Sequence, residues 1–208
     1  MKSVYNFIIK PVGKIYDNSI NVNGKELLLN TSIDKHKFVS NRAIVVSTPL
    51  AFETPIEEGD EIIVHHNIFR RYYNIKGKEV NSSKFFKNDL YFCQIDQIYL
   101  YKKIYKWHAF ADRCFAMPLE NNNDLELDKE QKLIGVLKYG NKSLEAKGIN
   151  EGDTIGFTPN SEFEFIINDQ RLYCMKSNDI VIKYEHQENQ VEYNPSWAKS
   201  SWGINQGS

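Results

Sequence analysis

An internal repeat constrains the fold of this chain more than any other feature of its sequence. Three pairs of segments match in the same order: Ile8–Pro11 with Phe115–Pro118, Ile56–Ile62 with Ile149–Ile155, and Asp96–Ile98 with Asn178–Ile180. Each copy therefore has a strand that ends in proline, a glycine turn, and a final strand entered through an acidic or amide residue. Self-similarity of this kind predicts two structural units of one design.

The spacing between matched points shows where the two copies differ. The offset is 107 at the proline (118 minus 11), 93 at the glycine (152 minus 59) and 82 at the closing isoleucine (180 minus 98). Copy one is therefore longer both before and after its glycine turn. Because surface loops tolerate added length at little cost, we predict elaborations within residues 13–38 and 69–86 and expect function to concentrate there.

Short β-branched and aromatic runs indicate an all-β fold. Such runs occupy residues 42–46, 61–64 and 90–93, and turn-forming pairs such as Asn23-Gly24 separate them. The helix candidates, around residues 128–132 and 143–147, are only about one turn long. Several short strands at this spacing are typical of a small barrel or sandwich.

Composition and termini restrict the class of protein. The 208 residues can hold one large domain or two small ones, and a net charge of −1 argues against a strongly basic nucleic-acid surface. The N-terminus lacks the pattern of a secretory signal, and no apolar run is long enough to cross a bilayer. Three widely spaced cysteines without a C-x-x-C pair indicate buried free thiols in a reducing cytoplasm.

The order of these motifs resembles that of the GroES-like co-chaperonins over about residues 4–185. Copy one has a first strand ending at Pro11, a polar stretch leading to an aliphatic triplet, a strand at residues 42–46, the E-G-D turn, and the D-Q-I that opens the last strand. Copy two keeps Gly140, Gly152-Asp153 and Asp179-Ile180 in the same order. The resemblance implies an all-β chain of two tandem GroES-like small antiparallel β-barrels, at residues 1–105 and 106–185, followed by a C-terminal tail at 186–208.

The resemblance also implies a function as a lid. GroES-like subunits form a ring that caps a chaperonin, and the aliphatic triplet of a mobile loop inserts between helices of the chaperonin. That role falls on these residues: Gly24, Lys25, Glu26, Leu27, Leu28 and Leu29. A flexible loop loses conformational entropy on binding and so binds reversibly, while each buried leucine contributes about 1.5–3 kcal/mol. A homo-oligomeric ring converts that modest affinity into avidity.

An alternative for the same segment is a buried strand over Glu26–Asn30. The matching stretch of copy two, Asn121–Leu127, is acidic and shorter, so we expect at most one binding loop in the chain.

The second elaboration begins at residue 65 and mixes basic and aromatic side chains. The resemblance places this stretch near the hairpin that forms the roof of the lid, where it would pack against ring neighbours. The candidate contact residues are Phe69, Arg70, Arg71, Tyr72 and Tyr73. Nucleic-acid stacking is the alternative, disfavoured by only two arginines in a nearly neutral chain. The enlarged loops and the doubling lead to the hypothesis of a divergent, bacteriophage-encoded lineage acting in the host cytoplasm on a client such as a capsid protein.

No pattern in the sequence indicates catalysis, a cofactor or a metal. His65 and His66 are adjacent, so in a strand they would point to opposite faces and could not share one metal ion. The spacings of hydrolase, metalloprotease and nucleotide-binding motifs are missing. We therefore expect a binding protein rather than an enzyme. The alternative function is a structural protein of a virion or other assembly built on the same barrel repeat.

Overall fold

The computed structural model of the chain describes residues 2–16, 19–22, 25–28, 39–121, 129–185 and 190–199. The chain divides into two compact units, Met1–Trp107 (unit 1) and His108–Ser208 (unit 2). Both are built mainly from antiparallel strands, as the sequence predicted. Among the described residues, no helix is long and apolar enough to span a bilayer.

In unit 1 the part of the chain that the structure describes forms one seven-stranded sheet and two separate strand pairs. Its strands are β1 (Phe7–Pro11), β2 (Ser19–Val22), β3 (Lys25–Leu28), β4 (Arg42–Ser47), β5 (Glu61–Val64), β6 (Tyr72–Tyr73), β7 (Glu79–Val80), β8 (Phe85–Lys87), β9 (Leu90–Cys93), β10 (Ile98–Lys103) and β11 (Lys106–Ala109). The order in the large sheet is β11-β10-β5-β4-β1-β9-β8, whereas β2 pairs with β3 and β6 with β7. The boundary between the units falls inside β11.

The described residues of unit 2 form one six-stranded sheet and two short helices. Its elements are β12 (Arg113–Glu120), β13 (Glu130–Tyr139), α1 (Lys142–Glu145), β14 (Thr154–Phe157), β15 (Phe163–Ile167), β16 (Gln170–Lys176), β17 (Ile180–Lys183) and α2 (Ser196–Lys199). The strand order is β15-β16-β12-β13-β14-β17. Short 3-10 helices at Ile95–Gln97 and Ser177–Asp179 precede the matching strands β10 and β17.

Six strands of each unit occupy matching places in the two sheets. Strands β1, β4, β5, β8, β9 and β10 of unit 1 correspond to β12 through β17 of unit 2. The register agrees residue by residue, because Pro11 lies opposite Ala43 and Pro118 lies opposite Gly135. The first strand of each unit has an irregularity at the same place, after Ile8 and after Phe115. The repeated motifs thus lie on one repeated topology.

The two glycine turns adopt the same backbone conformation. Gly59 has φ +93° and Gly152 has φ +94°, values that side chains other than glycine rarely adopt. The amide of Gly59 donates a 2.8 Å hydrogen bond to the carbonyl of Val45, and the amide of Gly152 donates one of 2.8 Å to Leu137. A left-handed residue at this point is therefore required in both copies.

The aspartate after each glycine closes its turn. Carboxylates of Asp60 and Asp153 each accept a 2.7 Å hydrogen bond from the amide three residues earlier. A lysine of the last strand region pairs with each, Lys103 with Asp60 at 2.9 Å and Lys183 with Asp153 at 2.6 Å. The amide of Asn150, and then the Lys183 ammonium, lower the pKa of Asp153. The E-G-D motif is thus a structural turn in each unit.

The first three residues of β1 and most of β12 are buried on both faces of the strand. Phe7, Ile8 and Ile9 are at most 2% exposed, and Cys114 through Leu119 are all buried in β12. Phe115 packs edge-to-face against Tyr139 and Phe165, at ring-centroid distances of 6.1 and 5.7 Å. Both units therefore use this strand as the centre of the hydrophobic core.

The added length of copy one lies in two connections. Residues 12–41 join β1 to β4 and contain β2 and β3, while residues 65–84 join β5 to β8 and contain β6 and β7. The matching connections of unit 2 are residues 121–129 and 158–162. Both insertions overlap the segments predicted from the offsets.

Of the two predicted helices, one is confirmed and one is wrong. The segment near residues 143–147 contains α1, which Asn141 caps by accepting a 3.2 Å hydrogen bond from the amide of Leu144. The segment near residues 128–132 runs instead into the strand β13, which begins at Glu130. Its pairing along β12 outweighs the weak helical preference of a charged stretch.

The three cysteines are free and buried, as predicted. Burial raises the pKa of the Cys174 thiol to about 12, and it also raises the pKa values of Cys93 and Cys114. Little thiolate forms at neutral pH, so these groups pack as small hydrophobic side chains.

Candidate functional site

Part of the predicted chaperonin-binding segment is a strand. Lys25, Glu26, Leu27 and Leu28 form β3, which pairs antiparallel with β2 so that Leu28 lies opposite Ser19. Gly24 and Leu29 lie outside the described residues. Within the described part of the chain, β2 and β3 pair only with each other and do not join the large sheet of unit 1. The aliphatic residues therefore belong to an appended strand pair.

The base of this first insertion is held by backbone contacts. Tyr16 and Val39 form an isolated antiparallel bridge, and the amide of Ser40 donates a 2.7 Å hydrogen bond to the carbonyl of Ile15. The chain therefore enters and leaves the insertion at one narrow point on unit 1.

Arg71 joins the bases of the two insertions. Its backbone amide donates a 2.6 Å hydrogen bond to the Tyr16 hydroxyl, and its guanidinium lies 5.8 Å from the centre of the Tyr16 ring. The same guanidinium pairs with Glu79 of β7 at 2.8 Å. Burial raises the pKa of Tyr16, and the hydrogen bond to Glu79 raises the pKa of Arg71. Tyr16 and Arg71 thus bring the bases of the two insertions into contact.

The predicted roof residues occupy different environments. Phe69 is fully buried, with its ring edge-to-face to Tyr91 at 4.9 Å, so it packs inside unit 1. The Arg70 guanidinium lies 5.2 Å from the ring centre of Tyr72. Tyr72 and Tyr73 form β6, which pairs with β7.

The turn between β6 and β7 is the most exposed part of this second insertion. Asn74 holds it together, because its side-chain oxygen accepts hydrogen bonds from the amides of Lys76 and Lys78 at 3.0 and 2.9 Å. Ile75 at the tip is fully exposed and Tyr73 is 52% exposed. A stable turn therefore presents apolar and cationic side chains to solvent.

The two adjacent histidines do not lie in a strand, so the premise used to separate them is wrong. His65 is the N-cap of a 3-10 helix at His66–Ile68, and its Nδ1 accepts a 3.1 Å hydrogen bond from the amide of Asn67. The two imidazole rings lie 4.5 Å apart. Among the described residues, no group of three metal-ligating side chains is brought together.

Unit 2 contains a polar cluster that the sequence analysis missed. Arg171 of β16, only 12% exposed, pairs with Glu130 and with Glu164, the latter at 2.7 Å. The Tyr173 hydroxyl donates a 2.6 Å hydrogen bond to Glu130, and burial together with that bond raises the pKa of Tyr173. The guanidinium also lies 5.7 Å from the ring centre of Trp197. The spacing of Arg171 and Tyr173, two apart in one strand, was the available signal.

The described part of the C-terminal segment packs on unit 2. The amide of Glu120 donates a 2.7 Å hydrogen bond to Val191, and the amide of Tyr193 donates one of 2.8 Å to Pro118. Ala198 of α2 is fully buried. Residues 190–199 therefore extend the structure of unit 2 beyond the repeat.

Comparison with models of known protein families and with curated proteins finds no match.

Proposed function

We propose that this chain is a co-chaperonin-like lid that assists protein folding. In this proposal it forms a homo-oligomeric ring and binds a chaperonin through the aliphatic residues at and beside β3. It acts by binding rather than by catalysis, and it works without a cofactor.

One observation carries the proposal: Leu27 and Leu28 belong to an appended strand pair, in a connection that is much longer than its match in unit 2. The connection that holds it runs over residues 12–41 in unit 1, whereas the matching connection of unit 2 has only residues 121–129. In this proposal the strand pair carries Leu27 and Leu28 to the partner. Its paired backbone reduces the conformational entropy lost on binding.

The repeated topology supports the barrel part of the proposal. We propose that each unit is a GroES-like barrel, because both place the same six strands in the same order and interrupt the first strand at the same position. Irregularities of this kind bend a strand and increase its twist, which favours a curved sheet. Burial of Phe7–Ile9 and of most of β12 on both faces also fits a sheet that wraps around its first strand.

The Tyr16–Arg71 contact supports a concerted use of the two insertions. Movement at the base of the β2–β3 pair would disturb Tyr16, which accepts the hydrogen bond of Arg71. Arg71 in turn holds Glu79 of the β6–β7 pair. A partner bound at one insertion can therefore influence the position of the other.

The test is a pull-down of the protein with a bacterial chaperonin in the presence and absence of ATP. Wild type is compared with a Leu27→Ser/Leu28→Ser/Leu29→Ser variant. A matched control, Ile104→Ser/Tyr105→Ser, removes apolar side chains that are 92% and 93% exposed at the turn after β10. We expect nucleotide-dependent binding by the wild type and the control, and loss of binding by the triple variant.

Two results would contradict the proposal. Equal loss of binding in the control would indicate general hydrophobic adhesion instead of a specific site. Failure of the wild type to bind both the bacterial chaperonin and that of its native host would exclude the lid function. A structural role in a virion or other assembly would then be the better hypothesis.

A further inference from the structure

The near-neutral charge of the whole chain conceals two oppositely charged units. Residues 1–107 contain 16 Lys and Arg against 11 Asp and Glu, a net charge of +5, whereas residues 108–208 contain 10 against 16, a net charge of −6. Six of the basic residues of unit 1, with a single acidic one, lie in residues 70–87. The second insertion and β8 therefore account for the whole net positive charge of unit 1.

Strand β8 forms a basic and aromatic edge of unit 1. It ends the order of the seven-stranded sheet, so within the described residues its outer side carries no strand. Phe86 and Lys87 are exposed, with the Lys87 ammonium 5.1 Å from the centre of the Phe86 ring. Lys84 precedes the strand and accepts, through its carbonyl, a 2.8 Å hydrogen bond from Phe92. We call Lys84, Phe86 and Lys87 the basic edge.

Strand β15 is the counterpart of β8, and its edge is acidic. Phe163 pairs with Cys174, and the residue of unit 1 that matches Cys174, at the offset of 82, is Phe92. Because Phe92 bonds to Lys84, Phe163 and Lys84 occupy equivalent positions. Phe163 is 63% exposed between Glu162 and Glu164. β15 ends the order of its own sheet in the described part of unit 2. We call Glu162, Phe163 and Glu164 the acidic edge.

Glu162 is incompletely satisfied among the described residues. Its Oε2 atom is buried and has no hydrogen-bond partner there, a costly state for a charged group. Glu164, in contrast, is paired with Arg171. Among the described residues, Glu162 therefore keeps a carboxylate that no cation of its own chain pairs.

We propose that the basic edge of one copy pairs with the acidic edge of a second copy through addition of β8 to β15. Charged side chains on edge strands normally prevent pairing. Here the equivalent edges carry opposite signs, so pairing of two basic edges or of two acidic edges is repelled while basic with acidic is attracted. Phe86 and Phe163 supply exposed aromatic surface to the same contact.

The contact is heterologous, because it joins two different surfaces of identical chains. Repetition of such a contact produces a closed ring or an open filament, depending on the rotation between neighbours. β8 has three residues and β15 has five, so a single contact is short and weak. Assembly therefore depends on the closure of many such contacts. The inference deepens the ring component of the proposed function and rests on it.

Charge reversal with rescue tests the inference. Lys84→Glu/Lys87→Glu reverses the basic edge, Glu162→Lys reverses the acidic edge, and a combined variant carries all three substitutions. Control variants Lys2→Glu/Lys10→Glu and Glu145→Lys change the same net charge at exposed positions. Mass photometry and light scattering measure assembly at low and high salt, and circular dichroism checks the fold of each variant.

We expect each edge reversal to lower the association constant by about tenfold or more, and high salt to weaken the wild-type assembly. The controls should assemble like the wild type. Assembly should return in the combined variant and in a mixture of the two edge-reversal variants. Rescue would also show that the single variants are folded.

Three outcomes would overturn the inference. The first is a wild type that stays monomeric at low salt, and the second is a combined variant that does not regain assembly. The third is a labelled single-stranded oligonucleotide that binds the wild type and not Lys84→Glu/Lys87→Glu while assembly is unchanged, which would assign the basic edge to nucleic acid. The chaperonin pull-down is a separate measurement, so the proposed lid function and this interface can fail independently.

Discussion

Units 1 and 2 share a framework and differ in what is attached to it. The six matched strands keep their order, their register and their glycine turn, although few of the residues are identical. The differences are two insertions in unit 1, and a polar cluster with a packed C-terminal segment in unit 2. The comparison indicates that burial and turn geometry maintain the repeat, while loops and edges are free to acquire separate tasks.

The central strands provide the strongest test of this comparison. We expect Phe7→Ala and Phe115→Ala each to lower the free energy of unfolding by about 3–5 kcal/mol, because both rings are fully buried. If the units are independent, Phe7→Ala should expose the Cys93 thiol to alkylation and Phe115→Ala the Cys174 thiol. Urea unfolding followed by labelling of each cysteine measures this. Exposure of both thiols in both variants would show that the units unfold as one cooperative block.

The polar cluster predicts a smaller effect that is confined to unit 2. Arg171→Ala removes the ion-pair partner of Glu130 in a partly buried site, so we expect the free energy of unfolding to fall by about 2–3 kcal/mol. The matched position of unit 1 is the exposed Asp89, at the offset of 82, and Asp89→Asn should change stability by less than about 0.5 kcal/mol. Thermal unfolding monitored by circular dichroism measures both. Equal effects would remove the cluster as a difference between the units.

The glycine turns predict the smallest effects and should be the most alike. Gly59→Ala and Gly152→Ala each force a side chain into the left-handed region, at a cost of about 1–2 kcal/mol. Neither site has an atom within 4 Å of the added Cβ, so the cost is conformational in both. Chemical denaturation of the two variants gives the values. If one substitution lowers the free energy of unfolding more than twice as much as the other, the two turns are not equivalent.

Much of the framework was predictable from the sequence because it depends on local patterns. The repeat, the glycine turns and the places of the insertions follow from residue spacing, and spacing also places the strands. The helix expected near residue 130 failed because pairing of Glu130–Tyr139 along β12 is a long-range effect. The prediction that His65 and His66 would lie in a strand was wrong because β5 ends at Val64 and His65 is the N-cap of a 3-10 helix.

The side-chain clusters could not be predicted because they join residues distant in sequence. Arg171 and Glu130 are 41 residues apart, and Tyr16 and Arg71 are 55 apart. The opposite charges of β8 and β15 become meaningful only once the register shows that the two strands are equivalent. Spacing predicts which strands match, and only the fold shows which edges remain without a neighbouring strand.

The packing of residues 190–199 onto β12 has a consequence for the order of events during synthesis. A nascent chain can complete every strand of the unit 1 sheet soon after residue 109 leaves the ribosome. In unit 2, the backbone hydrogen bonds of Pro118 and Glu120 can form only when Tyr193 and Val191 have been translated. These partners follow β12 by more than 70 residues. Unit 1, with both insertions, is therefore able to meet a partner while unit 2 is still being made.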